Sequence, residues 1–133
     1  MIPEVGQTMM MTWVVKSEHL ASAFGSGLAD VLATPVLVGF CEECARSMID
    51  PYLEPGRQTV GTAVHLDHMA ATPLGMTVTI EATLVEIDRR RRRFEIEAKD
   101  EIETIARCVH ERFVIDAAAF AERVQEKAKR AAA

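Results

Sequence analysis

Positive charge is in short supply in this chain: 15 Lys and Arg stand against 20 Asp and Glu, a formal net charge of -5. General affinity for nucleic acid or an anionic membrane needs clustered positive charge, so neither partner is expected, although an anionic ligand held locally is not excluded. Long apolar runs are missing as well. No stretch approaches the roughly 18 residues of a membrane span. The opening MIPEVGQTMMMTWVV has no basic region ahead of its apolar residues, which points away from a secretory leader and towards the cytoplasm. Cysteine is scarce and odd in number; three residues do not make a disulfide framework, and reduced thiols are expected.

What remains is a chain of 133 residues, 49% hydrophobic and 26% charged, which suits one domain over 1–133 with a single sizeable core. Its organising stretch is ATPVLVGFCEECARSMIDPYLEPG, Ala33 to Gly56. Thr34 reads as an N-cap and Pro35 as the first helical residue, a position that needs no N–H. Asp50-Pro51 and Pro55-Gly56 predict a stop near Ile49, because a residue before proline is pushed out of the helical region. At about 100° per residue, Val36, Leu37, Val38, Phe40, Cys41, Cys44, Ala45, Met48 and Ile49 cover more than half of the circumference. Such a helix must be wrapped by other structure. Glu42 falls at the border of the apolar arc, and Glu43 lies in the polar sector with Ser47.

Around this helix the pattern is that of strands. Gly6 to Val15, with Met9, Met11 and Trp13 alternating, predicts a first strand. Ser17 reads as the cap of a short helical turn, and the small residues Gly25, Ser26 and Gly27 predict a mobile loop. Strands are further predicted at Thr59–His68, Met76–Ile87, Arg93–Lys99 and Ile102–Ile115, the second of these from its strict alternation. From Asp116 onward a capping aspartate and good helix formers predict a terminal helix over 116–133. A curved antiparallel sheet wrapped around one long central helix, in the α+β class, satisfies this order. An open sheet this short leaves edges to cover, and pairing across a two-fold axis would cover one, so a homodimer or a higher oligomer is expected.

Several features invite chemistry. Cys41 and Cys44 have CxxC spacing, yet one pair lacks the second pair of a structural zinc site and both lie on the apolar arc, so no metal is expected. Arg89 to Arg93 sits between strands beside acidic residues and reads as a solvated hairpin tip. His65 and His68 are three apart, so on a regular strand at most one points into a site. Glu42 has Arg46 one turn later, and an exposed ion pair stands even with a functional role for Glu42.

The run from Ala33 through Gly56, then GTAVHLDHMAATPLGMTVTIEA from Gly61 to Ala82, and HERFVI from His110 to Ile115, resembles the fluoroacetyl-CoA thioesterases of the hotdog superfamily. The likeness extends over most of the chain. It implies a dimeric hotdog fold that hydrolyses a small acyl-CoA thioester with a threonine, a glutamate and a histidine, here Thr34, Glu42 and His68. The competing reading is a non-catalytic dimer that binds acyl-CoA or a small metabolite in the same groove. No cofactor is implied; coenzyme A is part of the substrate. Where the family pattern has a gating phenylalanine six residues before the threonine, this chain has Leu28, so selectivity for fluoroacetyl does not follow from the resemblance. The glycine usual after the threonine is Pro35, which offers no N–H. The first-turn N–H groups of Val36 and Leu37 remain as expected donors to a developing oxyanion. Gly61, at the head of the GTA strand, completes the expected substrate-binding positions.

Two routes to hydrolysis stay open on this reading. In one, His68 takes the proton of Thr34, which attacks, while a carboxylate fixes the imidazole tautomer. In the other, Glu42 acts directly as nucleophile or as base on water. Thr34 and Glu42 are eight residues apart, about 12 Å along a helix, so one chain's pair cannot share a short hydrogen bond. Antiparallel helices beside a two-fold axis would join Glu42 of one chain to Thr34 of the other.

Overall fold

The computed structural model describes residues 2–133. Five strands, β1 (Thr8–Val14), β2 (Arg57–His68), β3 (Thr77–Asp88), β4 (Arg91–Lys99) and β5 (Thr104–Asp116), form one antiparallel sheet in the order β1-β3-β4-β5-β2. The helices are a short turn α1 (Ala21–Phe24), the central α2 (Thr34–Ile49) and the terminal α3 (Ala117–Ala132). This is the α+β arrangement expected from the order of the elements, and the hotdog fold that the resemblance implies. No helix among the described residues is long and apolar enough to cross a membrane.

Alternation decides which face of the sheet meets α2. In β3 the side chains of Val78, Ile80, Ala82 and Leu84 are buried while Thr77, Thr79, Glu81 and Thr83 are half-buried, the two-residue period of a strand with one face on a core. Against this face α2 buries Leu37, Phe40, Cys41, Cys44, Ala45, Met48 and Ile49. A large apolar side chain removed fully from water contributes about 1.5–3 kcal/mol, so this face rather than intrinsic propensity holds the helix in place. Trp13 of β1 adds a stacked contact on Phe40, with ring centroids 4.5 Å apart. The opposite side of α2, with Pro35, Gly39, Glu43 and Arg46, is exposed. Within one chain the sheet therefore covers one side of the helix, and Val36 and Val38 are left half-buried at the margin.

Three local expectations are corrected. The helix begins at Thr34 rather than after it: Ala33 occupies the cap position, no side chain caps the helix, and Pro35 follows as the second helical residue. The helix stops at Ile49 as expected but not for the expected reason: Asp50 keeps helical angles, φ -56° and ψ -40°, despite the proline after it, and the chain runs on into a 3-10 turn over Asp50–Tyr52. Ser17 is the first residue of its 3-10 turn, not the cap; the Lys16 N–H is instead capped by His19 Nδ1 at 2.9 Å. The segment expected to be loose is tied down at its base by backbone hydrogen bonds from Ala21 to Val31 and from Ala33 to His19. Residues 25–30 above that base are exposed.

The feature of the sheet that matters most for function is on β2, a free edge. Its register with β5 runs from Arg57↔Asp116 to Gly61↔Arg112, skips Thr62, and resumes from Ala63↔Glu111 to His68↔Ala106. Residues seven apart on a regular strand face opposite sides. The extra residue at Thr62 reverses the parity, as a bulge does, so Gly61 and His68 both face the α2 side of the sheet. At the far end of the molecule, Asp116 accepts a hydrogen bond from the Ala119 N–H at 3.1 Å and starts α3, as its capping position predicts.

Candidate active site

Two clusters lie on the inner face of β2, one at each end. At the C-terminal end, the Thr34 hydroxyl and His68 Nδ1 are 2.8 Å apart. With Ala33 at the cap position α2 has no side-chain cap, and the hydroxyl of Thr34, one residue on, is turned towards His68. If Nδ1 accepts from the threonine, the ring proton sits on Nε2, which is buried and has no hydrogen-bond partner among the described residues. Burial pushes the His68 imidazole below its ordinary range, with the backbone of Ala70 acting in the opposite direction. An imidazole kept in its neutral form is free to accept a proton near neutral pH. A cavity of about 320 Å³ adjoins the pair, lined by Ala21, Val31, Leu32, Ala33, Met69 and Ala70 among others.

The first turn of α2 opens beside this pair. Of its N–H groups, that of Leu37 is taken by the Ala33 carbonyl at 3.0 Å and its side chain is in the core, so Leu37 is not a free donor. Pro35 has none, and Val36 and Thr34 remain at the positive end of the helix dipole. Leu28 is 98% exposed. Within one chain it closes over nothing, although Ser26 of the same loop lines the cavity.

Seven residues back along β2, which with the bulge is roughly 20 Å of strand, the second cluster is dense and polar. Glu42 is half-buried, and its Oε2 lies 3.6 Å from Nη1 of Arg112. A Cβ on Gly61 would fall 2.6 Å from that same carboxylate oxygen, so the carboxylate can lie over β2 only because residue 61 has no side chain. Arg112 is 5% exposed and His110 is fully buried. Nε of Arg112 donates to Thr59 Oγ1 at 2.8 Å and Nη2 to the Thr59 carbonyl at 3.1 Å, while Nη1 stands 3.2 Å from His110 Nε2. His110 Nδ1 donates to the Ala63 carbonyl at 2.8 Å, which leaves Nε2 as an acceptor. Burial, and after it the Arg112 charge, pushes His110 below its ordinary range despite nearby carboxylates. Burial also lowers Arg112, opposed by Asp50 and Glu42.

Glu42 thus pairs with Arg112 on β5 and not with Arg46 one turn along its own helix, because α2 turns Glu42 towards the sheet while Arg46 is exposed. Glu43 is exposed, in the polar sector expected of it. Arg112 and His110 escaped the sequence reading as site residues; their signal is a histidine and an arginine two apart on one strand, which share a face. His65 points outward and lies 3.6 Å from Asp67 with both exposed, so of the two histidines only His68 faces α2. Cys41 and Cys44 are buried in the core, the Cys44 thiol 3.4 Å from the Met9 carbonyl. Of the arginine run expected to be a solvated tip, only Arg89 and Arg90 form the exposed β3–β4 turn; Arg91, Arg92 and Arg93 are half-buried in β4, where Arg91 pairs with Glu86 at 2.7 Å and with Glu111.

The family described as fluoroacetyl-CoA-specific thioesterase matches residues 15–118 of the chain. A fluoroacetyl-CoA thioesterase of Streptantibioticus cattleyicolor is 42% identical over 99 residues, 74% of this chain and 70% of that protein. A solved structure of the fluoroacetyl-CoA thioesterase FlK superposes with a TM-score of 0.90 at 33% identity, covering 94% of this chain and 97% of that one. A thioesterase superfamily member from Thermus thermophilus superposes with a TM-score of 0.87 at 26% identity, over 98% of this chain and 99% of its own.

Proposed function

The chain belongs to the fluoroacetyl-CoA-specific thioesterase family and is an acyl-CoA thioesterase, and from that premise we propose that its working site joins Thr34 and His68 of one chain to Glu42 of a second in a homodimer. The observation that carries this reading is the Thr34–His68 contact of 2.8 Å beside a buried His68 Nε2 that no described residue satisfies. A buried ring N–H without an acceptor is costly, and a carboxylate is the group that would both satisfy it and hold the tautomer needed for proton acceptance. The free edge of β2 and the exposed side of α2 are the surfaces through which a second copy would bring its Glu42.

In this site His68 Nδ1 takes the Thr34 proton as Oγ1 attacks the thioester carbonyl carbon. The N–H of Val36, at the positive end of α2, stabilises the oxyanion. Collapse breaks the C–S bond, and the imidazolium passes its proton to the departing CoA thiolate, which restores the neutral imidazole. The same imidazole then takes a proton from water as the water attacks the threonine ester, and returns it to Thr34 Oγ1 as the acid leaves. The cavity of about 320 Å³ beside Thr34 suits a short acyl group, and the exposed Leu28 supplies no aromatic closure, so acetyl-CoA and fluoroacetyl-CoA are turned over at comparable rates.

Mixing inactive Thr34→Ala chains with inactive Glu42→Gln chains tests the arrangement. About half of random dimers are hybrids, each with one complete site of two, so activity returns to roughly a quarter of wild type once exchange is complete. Mass spectrometry of differently tagged chains verifies the exchange. Hybrids that form and stay inactive, from single variants that are folded, overturn the cross-chain site.

A further inference from the structure

Arg112 is a desolvated cation, and its surroundings are unusual for an arginine beside a carboxylate. In a dry site such a pair closes to a direct contact of about 2.7–2.9 Å, often bidentate. Here the gap to Glu42 is 3.6 Å. The fork is engaged elsewhere: Nε and Nη2 are held by the hydroxyl and carbonyl of Thr59, and Nη1 is shared with His110 Nε2 at 3.2 Å. Thr59 is itself fixed. Its hydroxyl donates to Asp50 Oδ1 at 2.5 Å and its N–H donates to the same oxygen at 3.2 Å. The result is an unbroken line from Asp50 through Thr59 and Arg112 to Glu42, with a negative group at each end and the guanidinium between them.

We propose that Asp50 is a positioning residue for the Glu42 carboxylate, acting through Thr59 and Arg112; this rests on the reading of Glu42 as a member of the reacting site. Asp50 supplies Arg112 with a second counter-charge, and Thr59 supplies the two acceptors that fix the plane of the fork. Held from behind, the guanidinium orients Glu42 without closing on it, and the carboxylate keeps its lone pairs for the reaction. With Asp50 neutral, Glu42 becomes the dominant negative group facing Arg112, and the pair tightens. The charged and titratable groups around the guanidinium are Glu42, Arg46 and Asp50 from α2 and the turn after it, His110 and Glu111 from β5, and Arg92, its register neighbour on β4. Only Asp50 and Glu42 among these are linked to it as counter-ions, so removing the one leaves the other.

The test compares Asp50→Asn, Thr59→Val and Thr59→Ser in the dimeric enzyme, with Glu42→Gln as reference, using kcat and KM for acetyl-CoA hydrolysis, and Tm. Asp50→Asn and Thr59→Val are expected to lower kcat roughly tenfold, the effect of losing one charge-assisted hydrogen bond, with KM within about twofold. Thr59→Ser, which keeps the hydroxyl, retains activity. Wild-type kcat in folded Asp50→Asn and Thr59→Val overturns the proposal, as does a loss of kcat that follows Tm or that Thr59→Ser shares. Should Thr59→Val fail to fold, Asp50→Asn decides alone. Unchanged turnover in Glu42→Gln overturns the parent reading of Glu42, an outcome separate from any result at Asp50.

Discussion

The two ends of β2 differ in how much the chain has spent on finishing them. At the His68 end the reactive groups are few, Thr34 is exposed, and a buried ring nitrogen lacks an acceptor. At the Gly61 end, Asp50, Thr59, Arg112 and His110 are bonded to one another around a buried cation, and the Glu42 carboxylate stands 3.6 Å from it without closing. The open pair leaves a hydroxyl and an imidazole accessible, whereas the network holds one carboxylate over β2. On the proposed reading each end is one part of a hydrolytic site, and with Thr34 and Glu42 about 12 Å apart along α2 one chain cannot join them.

The sharpest test of this difference is Glu42→Gln, which keeps shape and removes charge. Turnover is expected to fall by orders of magnitude while folding and ligand binding persist, and Glu43→Gln, on the exposed side, is expected to change little. Steady-state kinetics on both variants decide it; a sensitive Glu43 and an indifferent Glu42 would reverse the assignment. A smaller effect is expected at Gly61→Ala. The new methyl group meets Glu42 Oε2 at 2.6 Å, and a flexible side-chain end can swing away. Stability should therefore hold within about 1 kcal/mol, while the displaced carboxylate costs ten- to about a hundredfold in kcat. An alanine enzyme with full activity would show that the carboxylate need not lie over β2. The mildest difference concerns acid. His68 and His110 both sit below the ordinary histidine range because they are buried, so below about pH 6.5 the unfolded chain binds protons that the native chain does not. Stability is expected to be full above that pH and to decline as pH falls through the window below it, measured by urea midpoints between about pH 8 and pH 5. A rise on acidification would mean that the native histidines gain protons instead.

The layout of the fold was legible where local rules and tertiary packing agree. The alternation in β3, the apolar arc of α2 and the capping Asp116 each predict the observed element, because burial on one face rewards the same period that the sequence carries. The site was legible in its parts and not in its partners. Thr34 reads as a cap by a local rule, yet Ala33 holds the cap position and the Thr34 hydroxyl is turned towards His68 on another element. Glu42 has an arginine one turn along, yet the buried Arg112 becomes its neighbour because α2 lies over β2 and β5. The contact of Asp50 with Thr59 was hidden for the same reason. As a residue before proline it reads as a helix terminator, and only the fold brings Thr59 to its carboxylate. Contacts between elements distant in sequence have no period, so no window of residues announces them.

Thr62 touches neither cluster's chemistry; its hydroxyl merely donates to the Glu111 carbonyl at 3.2 Å. As the bulge residue it nevertheless sets the reading frame of everything after it on β2. What holds the frame is the irregularity and not the hydroxyl: if the same residues ran on as a regular strand, Leu66 and His68 would turn to the outer face in a single step. Dropping Thr62 removes the irregularity together with the extra residue and leaves Gly61 and His68 six apart, on one face and with the same partners on β5. The strand therefore has two spellings that keep His68 on the α2 side, a bulged one and a regular one that is shorter by a residue, and a single deletion carries the first into the second.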